Sequence, residues 1–559
     1  MRKILFGVSA TTLALLYGLL VLILLIIFQV TGVPLLTSLI VSAIVLFIQF
    51  LISPFLTDLT QRWFYRTKFG IEMPPYLRAF IEQVCREQNM KYPKMGFIDD
   101  GAPNAFTYGH TKNNARIVLT RGIFDLLTED EVKAVVAHEL GHAAHYDMLL
   151  MTVAELVPMV LYAIARGLID SLQTTASNAS DSDDSKAALG QVALAAIAYL
   201  FYIIAQYIVL WFSRTREYFA DEFSVQATKN PEALSRALIQ IGFGLSTHAD
   251  IAAANTAEKK KKRRAMSANS VNAMGIFDTK ASKSLAVSCF KDGQIDKSHI
   301  KNAMKWELWN TWAKWYELNS THPLISKRLQ AIDKLAPQYG QEPFVRFDLE
   351  KPESYLDDFL REICISSLPG LAFLGAAAVG AVAYFNEQHT LLWVSAGLLV
   401  LSAVFSLLKY RFTHPDKEYH DATVAGLLGE PKVSGIRSIP CELKGTIIGR
   451  GDPGCIFNED FVLQDDTGII FLDYNQPLFI LNKIFALFKS KENIDHTAVI
   501  RGWYRRSPVP YIELYTMEVG GKTKKIFTYG VGRVLRWIYL ILAIASFGAV
   551  YYLLNGGIL

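Results

Sequence analysis

His138, Glu139 and His142 stand together in the stretch Glu131–Met148, EVKAVVAHELGHAAHYDM. On a helix, positions i and i+4 share a face, so the two imidazoles can aim a ring nitrogen at one ion. Glu139 lies about 100° round from His138 and can reach a water held by that ion. This is the zincin arrangement, and a catalytic zinc needs three protein ligands and one open position. In one zincin class the third ligand is a histidine six residues after the second, with a glycine between; Met148 and His145 occupy those positions here and exclude it. His145 is a weaker candidate ligand, better suited to capping or hydrogen bonding near a membrane surface. The other common third ligand is a glutamate on a second helix, and WFSRTREYFADEF (211–223) offers Glu217. Asp221, one turn on, can receive the outer N–H of a ligand histidine. Seen alone, Glu217 and Asp221 also fit a solvated, charged helix face.

The elements that must position these groups are a capped helix and a membrane hairpin. Thr128 and Glu131 form a capping-box pattern that starts the histidine helix. With no proline before Val157, that helix is expected to run straight into the next apolar segment. The chain is 51% apolar, and the excess falls in blocks. Seven of them are long enough for the roughly 20-residue helix that crosses a bilayer: Ile4–Phe28, Pro34–Leu56, Met148–Ile169, Gln191–Phe212, Ser366–Phe385, Leu391–Leu408 and Val534–Leu554. The first is too long for a signal-peptide core and lacks a clear cleavage site, so it is read as retained. Two spans separate His142 from Glu217, which returns both to one side. If the helices continue out of the bilayer, each lies roughly 8–9 Å above its boundary. The ligands therefore meet at one height, which a solvated charged face does not predict.

Lys and Arg mark cytoplasmic segments. Arg2 and Lys3 precede the first span, and residues 57–147, 213–365 and 409–533 hold nearly all the rest. The loop 170–190 is acidic, with Lys186 its single lysine. The expected topology has the N-terminus and the site cytoplasmic and the C-terminus outside, which suits a prokaryotic inner membrane. The net charge of +4 averages over compartments and says little. The five cysteines show no CxxC spacing and read as reduced structural residues. The basic run Lys259–Arg264 reads equally as a contact for anionic lipid headgroups or as a solvated insertion.

The domain organisation that follows is 1–56, two spans; 57–147, the first protease segment; 148–212, a membrane hairpin; 213–365, the second protease segment; 366–408, another hairpin; 409–533, a β-rich domain; and 534–559, a last span. In the β-rich domain the runs 441–450, 461–474, 496–506 and 510–518 alternate in polarity between turn signals, the pattern of a small antiparallel barrel of OB type. Such a shape does not by itself imply nucleic-acid binding, and none is expected. The fold class is a polytopic α-helical membrane protein with a mainly α, zincin-type cytoplasmic protease domain and a small OB-like cytoplasmic domain.

The chain carries, in order, NAF (104–106) with IVLTRGIFDLLTEDEV (117–132), HELGHAAHYD (138–147), SRTREYFAD (213–221) and THPLISKRL (321–329). Through them the sequence resembles the HtpX-like integral-membrane zinc metallopeptidases, relatives of the CAAX prenyl endopeptidase, over roughly residues 60–335. The resemblance implies one zinc per chain on His138, His142 and Glu217, with Glu139 as general base and Asp221 behind a ligand histidine. It further implies Asn104, Ala105 and Phe106 as a substrate-binding edge, His322 as a group stabilising the oxyanion, and Arg328 as a partner of Asp221. HtpX-type proteins usually end soon after the THP motif, so the C-terminal third departs from the family.

The expected activity is zinc-dependent hydrolysis of peptide bonds in membrane or membrane-proximal, misfolded proteins. A prenyl-protein endopeptidase is the alternative, followed by a non-catalytic scaffold acting through the β-rich domain. Expected partners are a protein or peptide substrate and the lipid bilayer; oligomeric state is not legible.

Overall fold

The computed structural model describes residues 2–31, 35–178, 182–254, 290–291, 294–295, 297–386, 388, 390–415, 418–450, 460–474, 476, 493–507, 509–520, 526–527 and 531–555. The basic run Lys259–Arg264, Cys289 and Cys455 lie outside the described residues. The chain divides into two compact units: Met1–Leu245 with Glu317–Arg346, and Lys283–Tyr316 with Phe347–Leu559.

In the first unit a small sheet is assembled from β1 (Lys68–Phe69), β2 (Lys94–Ile98), β3 (Ala105–Gly109) and β4 (Ala115–Thr120), in the order β1-β2-β4-β3. β2 runs parallel to β4, and β3 antiparallel to it. β3 is thus an edge strand among the described residues. The histidine helix, Glu129–Ala144, packs against β3. Its start is held by the Glu131 carboxylate, which accepts the Thr128 N–H at 2.9 Å and is itself anchored by Arg236 Nε at 3.0 Å.

The straight run expected from Glu131 through Val157 does not occur. The histidine helix ends at Ala144, Tyr146 adopts a left-handed φ of 61°, and a new helix, Asp147–Asn178, begins. No glycine or proline announces this break. Tyr146 donates its N–H back to Ala143 O, while Leu150 resumes the helical ladder on Tyr146 O. The estimate of equal ligand heights assumed continuous helices, and it now holds only for the glutamate helix, which spans Ser182–Thr228 without interruption.

The glutamate helix lies against the histidine helix. A Cβ at Gly141 would stand 3.1 Å from Phe223 Cβ, so this glycine permits the close approach. Ser224 donates to Ala134 O at 2.6 Å across the same contact. Further along, Leu16, Leu20 and Ile23 of the first helix (Arg2–Thr31) pack with Ala154, Val157, Leu161, Ala198, Ala205 and Val209 into a three-helix apolar core.

Among the described residues, five helices are long and apolar enough to cross a membrane: Asp147–Asp170, Gly190–Thr228, Leu356–Tyr384, Thr390–Thr413 and Val534–Tyr552. The protein is an integral membrane protein of mostly helical build. The other two expected spans fall on the helices Arg2–Thr31 and Leu35–Trp63, many of whose side chains lie outside the described residues.

The second unit holds a closed barrel of five strands: β5 (Ile439–Arg450), β6 (Phe461–Asp465), β7 (Gly468–Asp473), β8 (Thr497–Ser507) and β9 (Val509–Val519). The ring runs β5-β6-β7-β9-β8 and returns to β5. It is not wholly antiparallel: β7 and β9 pair in parallel, Phe471 opposite Tyr511. That pairing closes the sheet and removes its edges. Alternating Leu443, Ile447, Leu463, Ile470, Leu472, Ile500, Ile512 and Leu514 fill the interior. The helix Lys297–Trp309 belongs to this unit: Trp306, fully buried, donates its indole N–H to Val433 O at 2.6 Å. Asn310 bonds Pro431 O at 2.7 Å, and the Tyr316 hydroxyl meets Ser507 Oγ at 2.8 Å.

Candidate metal centre

The histidine helix and the glutamate helix bring three donors together. His138 Nε2 and His142 Nε2 are 3.1 Å apart. Glu217 Oε2 lies 3.5 Å from the first and Glu217 Oε1 3.4 Å from the second. A tetrahedral ion with bonds of about 2.0–2.1 Å separates its donors by roughly 3.3–3.4 Å. The three side chains therefore have the spacing of one face of such a site. They are the one group of its kind found among the described residues. Glu217 Oε2 is buried without a hydrogen bond among the described residues, and the Arg328 guanidinium stands 3.4 Å from it. Two imidazoles and one carboxylate form a donor set suited to zinc.

Each of these two histidines is backed by a carboxylate, and each carboxylate by an arginine. His138 Nδ1 is 3.0 Å from Asp221 Oδ1. Arg328 donates to that aspartate from Nε at 2.9 Å and Nη2 at 2.7 Å. His142 Nδ1 is 2.7 Å from Asp147 Oδ2, and the other oxygen of Asp147 pairs with Arg216. Arg216 also donates to His145 O at 3.3 Å and Ser9 Oγ at 3.4 Å, which ties this arrangement to the first helix. Such backing carboxylates fix ring orientation and leave Nε2 as the free donor.

Burial pulls the His138 imidazole down, but the Asp221 and Glu217 carboxylates push it above its ordinary pKa. His142 is likewise pulled down by burial and raised past its ordinary value by Glu217. A proton and a metal cation thus compete for the same nitrogens. Burial also lowers Arg328, yet Asp221 and Glu217 outweigh it and keep the guanidinium charged.

Glu139 is buried beside His138, and its Oε2 accepts a 2.6 Å hydrogen bond from the Thr107 hydroxyl on β3. His322 Nε2 lies 3.7 Å from Glu217 Oε1, at the rim of the donor group. The loop before it is gathered by Arg214 Nη1, which reaches Glu317 O and Ser320 O at 2.8 Å each. Asn104 leads into β3, its N–H donating to Thr120 Oγ1 at 2.8 Å. Ala105 and Phe106 are on β3, but both side chains are buried, Phe106 in the cluster with Ile98, Tyr108 and Val118. Asn104, Ala105 and Phe106 are thus all buried. His145 is not in the metal group; its ring stands edge-on to Phe223 with centroids 5.6 Å apart.

Asp147, Thr107, Arg214 and Arg216 were not singled out from sequence. On an unbroken helix Asp147 would lie about 140° round from His142 and point away from it; the turn at Tyr146 brings it back. The other three act across separations of 32 residues or more, for which periodicity holds no signal.

The sequence pattern described as "Peptidase family M48" matches residues 73–336. A "Protease HtpX homolog" of Methanothermobacter thermautotrophicus is 36% identical over 234 residues, which is 42% of this chain and 83% of the relative. Another, of Aeropyrum pernix, is 32% identical over 312 residues, 56% of this chain and 89% of the relative. The crystal structure of S. mikatae Ste24p aligns with 59% of this chain and 66% of its own, at 18% identity and a TM-score of 0.31. A score that low carries no argument about the fold.

Proposed function

The chain belongs to peptidase family M48 and is a metalloprotease, and from that premise we propose that it is a zinc endopeptidase acting on membrane or membrane-proximal, misfolded proteins. The carrying observation is the spacing of His138 Nε2, His142 Nε2 and the Glu217 carboxylate, all within 4.8 Å of one another, with Glu139 adjacent. His138, His142 and Glu217 would hold one zinc ion. When bound, zinc lowers the pKa of a coordinated water towards about 7 and polarises the scissile carbonyl. Glu139 accepts the proton of the attacking water and delivers it to the leaving amine. His322, at the rim, donates a hydrogen bond to the oxygen that gains charge as the carbonyl becomes tetrahedral. Asp221 and Asp147 hold the two imidazoles, and Arg328 holds Asp221. The outer edge of β3, from Asn104 through Phe106, takes the substrate backbone as an added strand.

In this reading the site and the barrel, whose ring order suits an OB-type fold, are cytoplasmic, and the chain spans a prokaryotic inner membrane seven times with its C-terminus outside. The charge asymmetry of the connecting segments supports that orientation.

The test uses detergent-purified full-length protein, with zinc measured by elemental analysis and casein cleavage in the same samples. Wild type is expected to carry about one zinc per chain and to cleave. Glu139→Gln should keep the zinc and lose cleavage, and Glu217→Ala should lose both. Zinc unaffected by Glu217→Ala would remove Glu217 from the ligand set. Cleavage of a farnesylated peptide but not its unmodified form would replace this substrate class with prenylated ones.

A further inference from the structure

We propose that Thr107 is a positioning residue for the general base: its hydroxyl holds one oxygen of Glu139 and leaves the other to move the proton. The proposal rests on the reading of Glu139 given above.

Thr107 sits mid-strand in β3, opposite Ile117 of β4. Its neighbours Phe106 and Tyr108 turn into the apolar cluster behind the sheet. By strand alternation Thr107 faces the opposite way, where the histidine helix packs. Its Oγ1 is 2.6 Å from Glu139 Oε2 and 3.2 Å from Glu139 O. A threonine hydroxyl has one proton to give, and the shorter contact to a carboxylate has the length of a charge-assisted bond. The β-branched side chain has restricted χ1 freedom, so the donor position is set largely by the backbone of β3.

Two consequences follow. With Oε2 engaged, Oε1 is the oxygen that takes the water's proton and returns it to the leaving nitrogen; the threonine keeps its own proton throughout. The strand that would receive the substrate backbone also fixes the base, so the distance from docked peptide to carboxylate is set within one element. A misplacement on the order of 1 Å in such a constellation can cost 100-fold in rate.

The experiment compares wild type, Thr107→Val, Thr107→Ser and Glu139→Gln as full-length protein in detergent, with casein as substrate. Steady-state kinetics are read alongside zinc content. Valine keeps the β-branched shape and removes the donor, whereas serine keeps the donor. The expected result for Thr107→Val is kcat lowered roughly ten- to a hundredfold, with KM and zinc content unchanged, and Thr107→Ser restored close to wild type. Wild-type kcat in Thr107→Val would overturn the proposal. So would equal losses in the valine and serine variants, or a loss of zinc, since each makes the residue's role one of packing. Full activity in Glu139→Gln would instead overturn the assignment of the base itself.

Discussion

The two imidazoles sit in parallel arrangements, each with a carboxylate on Nδ1 and an arginine behind it. Asp147 is the less expected of the two carboxylates, and its effect is separable from folding because asparagine preserves its shape. Asp147→Asn is expected to weaken zinc affinity about 10–100-fold, measured by competition with a chromogenic chelator. Unchanged affinity would show that His142 is oriented by its helix alone. Much of the donor set was legible as pattern: His138 and His142 by their helical spacing, and Glu217 by the apolar hairpin that returns it to their side. Asp147 and Thr107 were not, for different reasons. The first depends on a left-handed residue, Tyr146, whose type gives no warning of it; the second depends on where a sheet edge meets a helix, which no local sequence encodes.

At the scale of elements, the site is the contact between two helices and the strand beside them. Gly141 sets how closely the helices approach. Gly141→Ala gains about 0.5–1 kcal/mol of helix preference against a crowded contact with Phe223, and the two nearly cancel. Gly141→Val adds bulk that the contact cannot absorb and is expected to cost about 1–3 kcal/mol. It should lower the thermal midpoint and the zinc content together. A valine variant with wild-type zinc content would mean that the helices can part without moving the donors. Elements with strong local signals were readable in advance: the capping-box pattern of Thr128 and Glu131 opens the helix Glu129–Ala144. The barrel strands were readable too, by alternation. Its closure was not, because the parallel pairing of β7 with β9 joins residues about 40 apart through a segment outside the described chain.

At the scale of the whole molecule, the chain weaves between its two units. Residues 297–316 belong with the barrel, yet Glu317–Arg346, which carries His322 and Arg328, belongs with the metal site. A chain ended after Arg346 would keep every proposed site residue and still leave Trp306, Asn310 and Tyr316 without their partners Val433, Pro431 and Ser507. Such a truncation is expected to aggregate and to retain no stoichiometric zinc, checked by gel filtration and elemental analysis. A monodisperse, zinc-loaded truncation would show that the first unit folds alone.

The clasp on Trp306 and Tyr316 also orders events in time. Synthesis runs from the N-terminus, at about 5–20 residues per second, and Ser507 is made 191 residues after Tyr316. Until then Tyr316 lacks this partner, whereas Glu317 and Ser320 already have theirs in Arg214. At that rate Tyr316 waits on the order of 10–40 seconds for Ser507, and the barrel unit is completed well after residues 317–346 of the metal-site unit have been made.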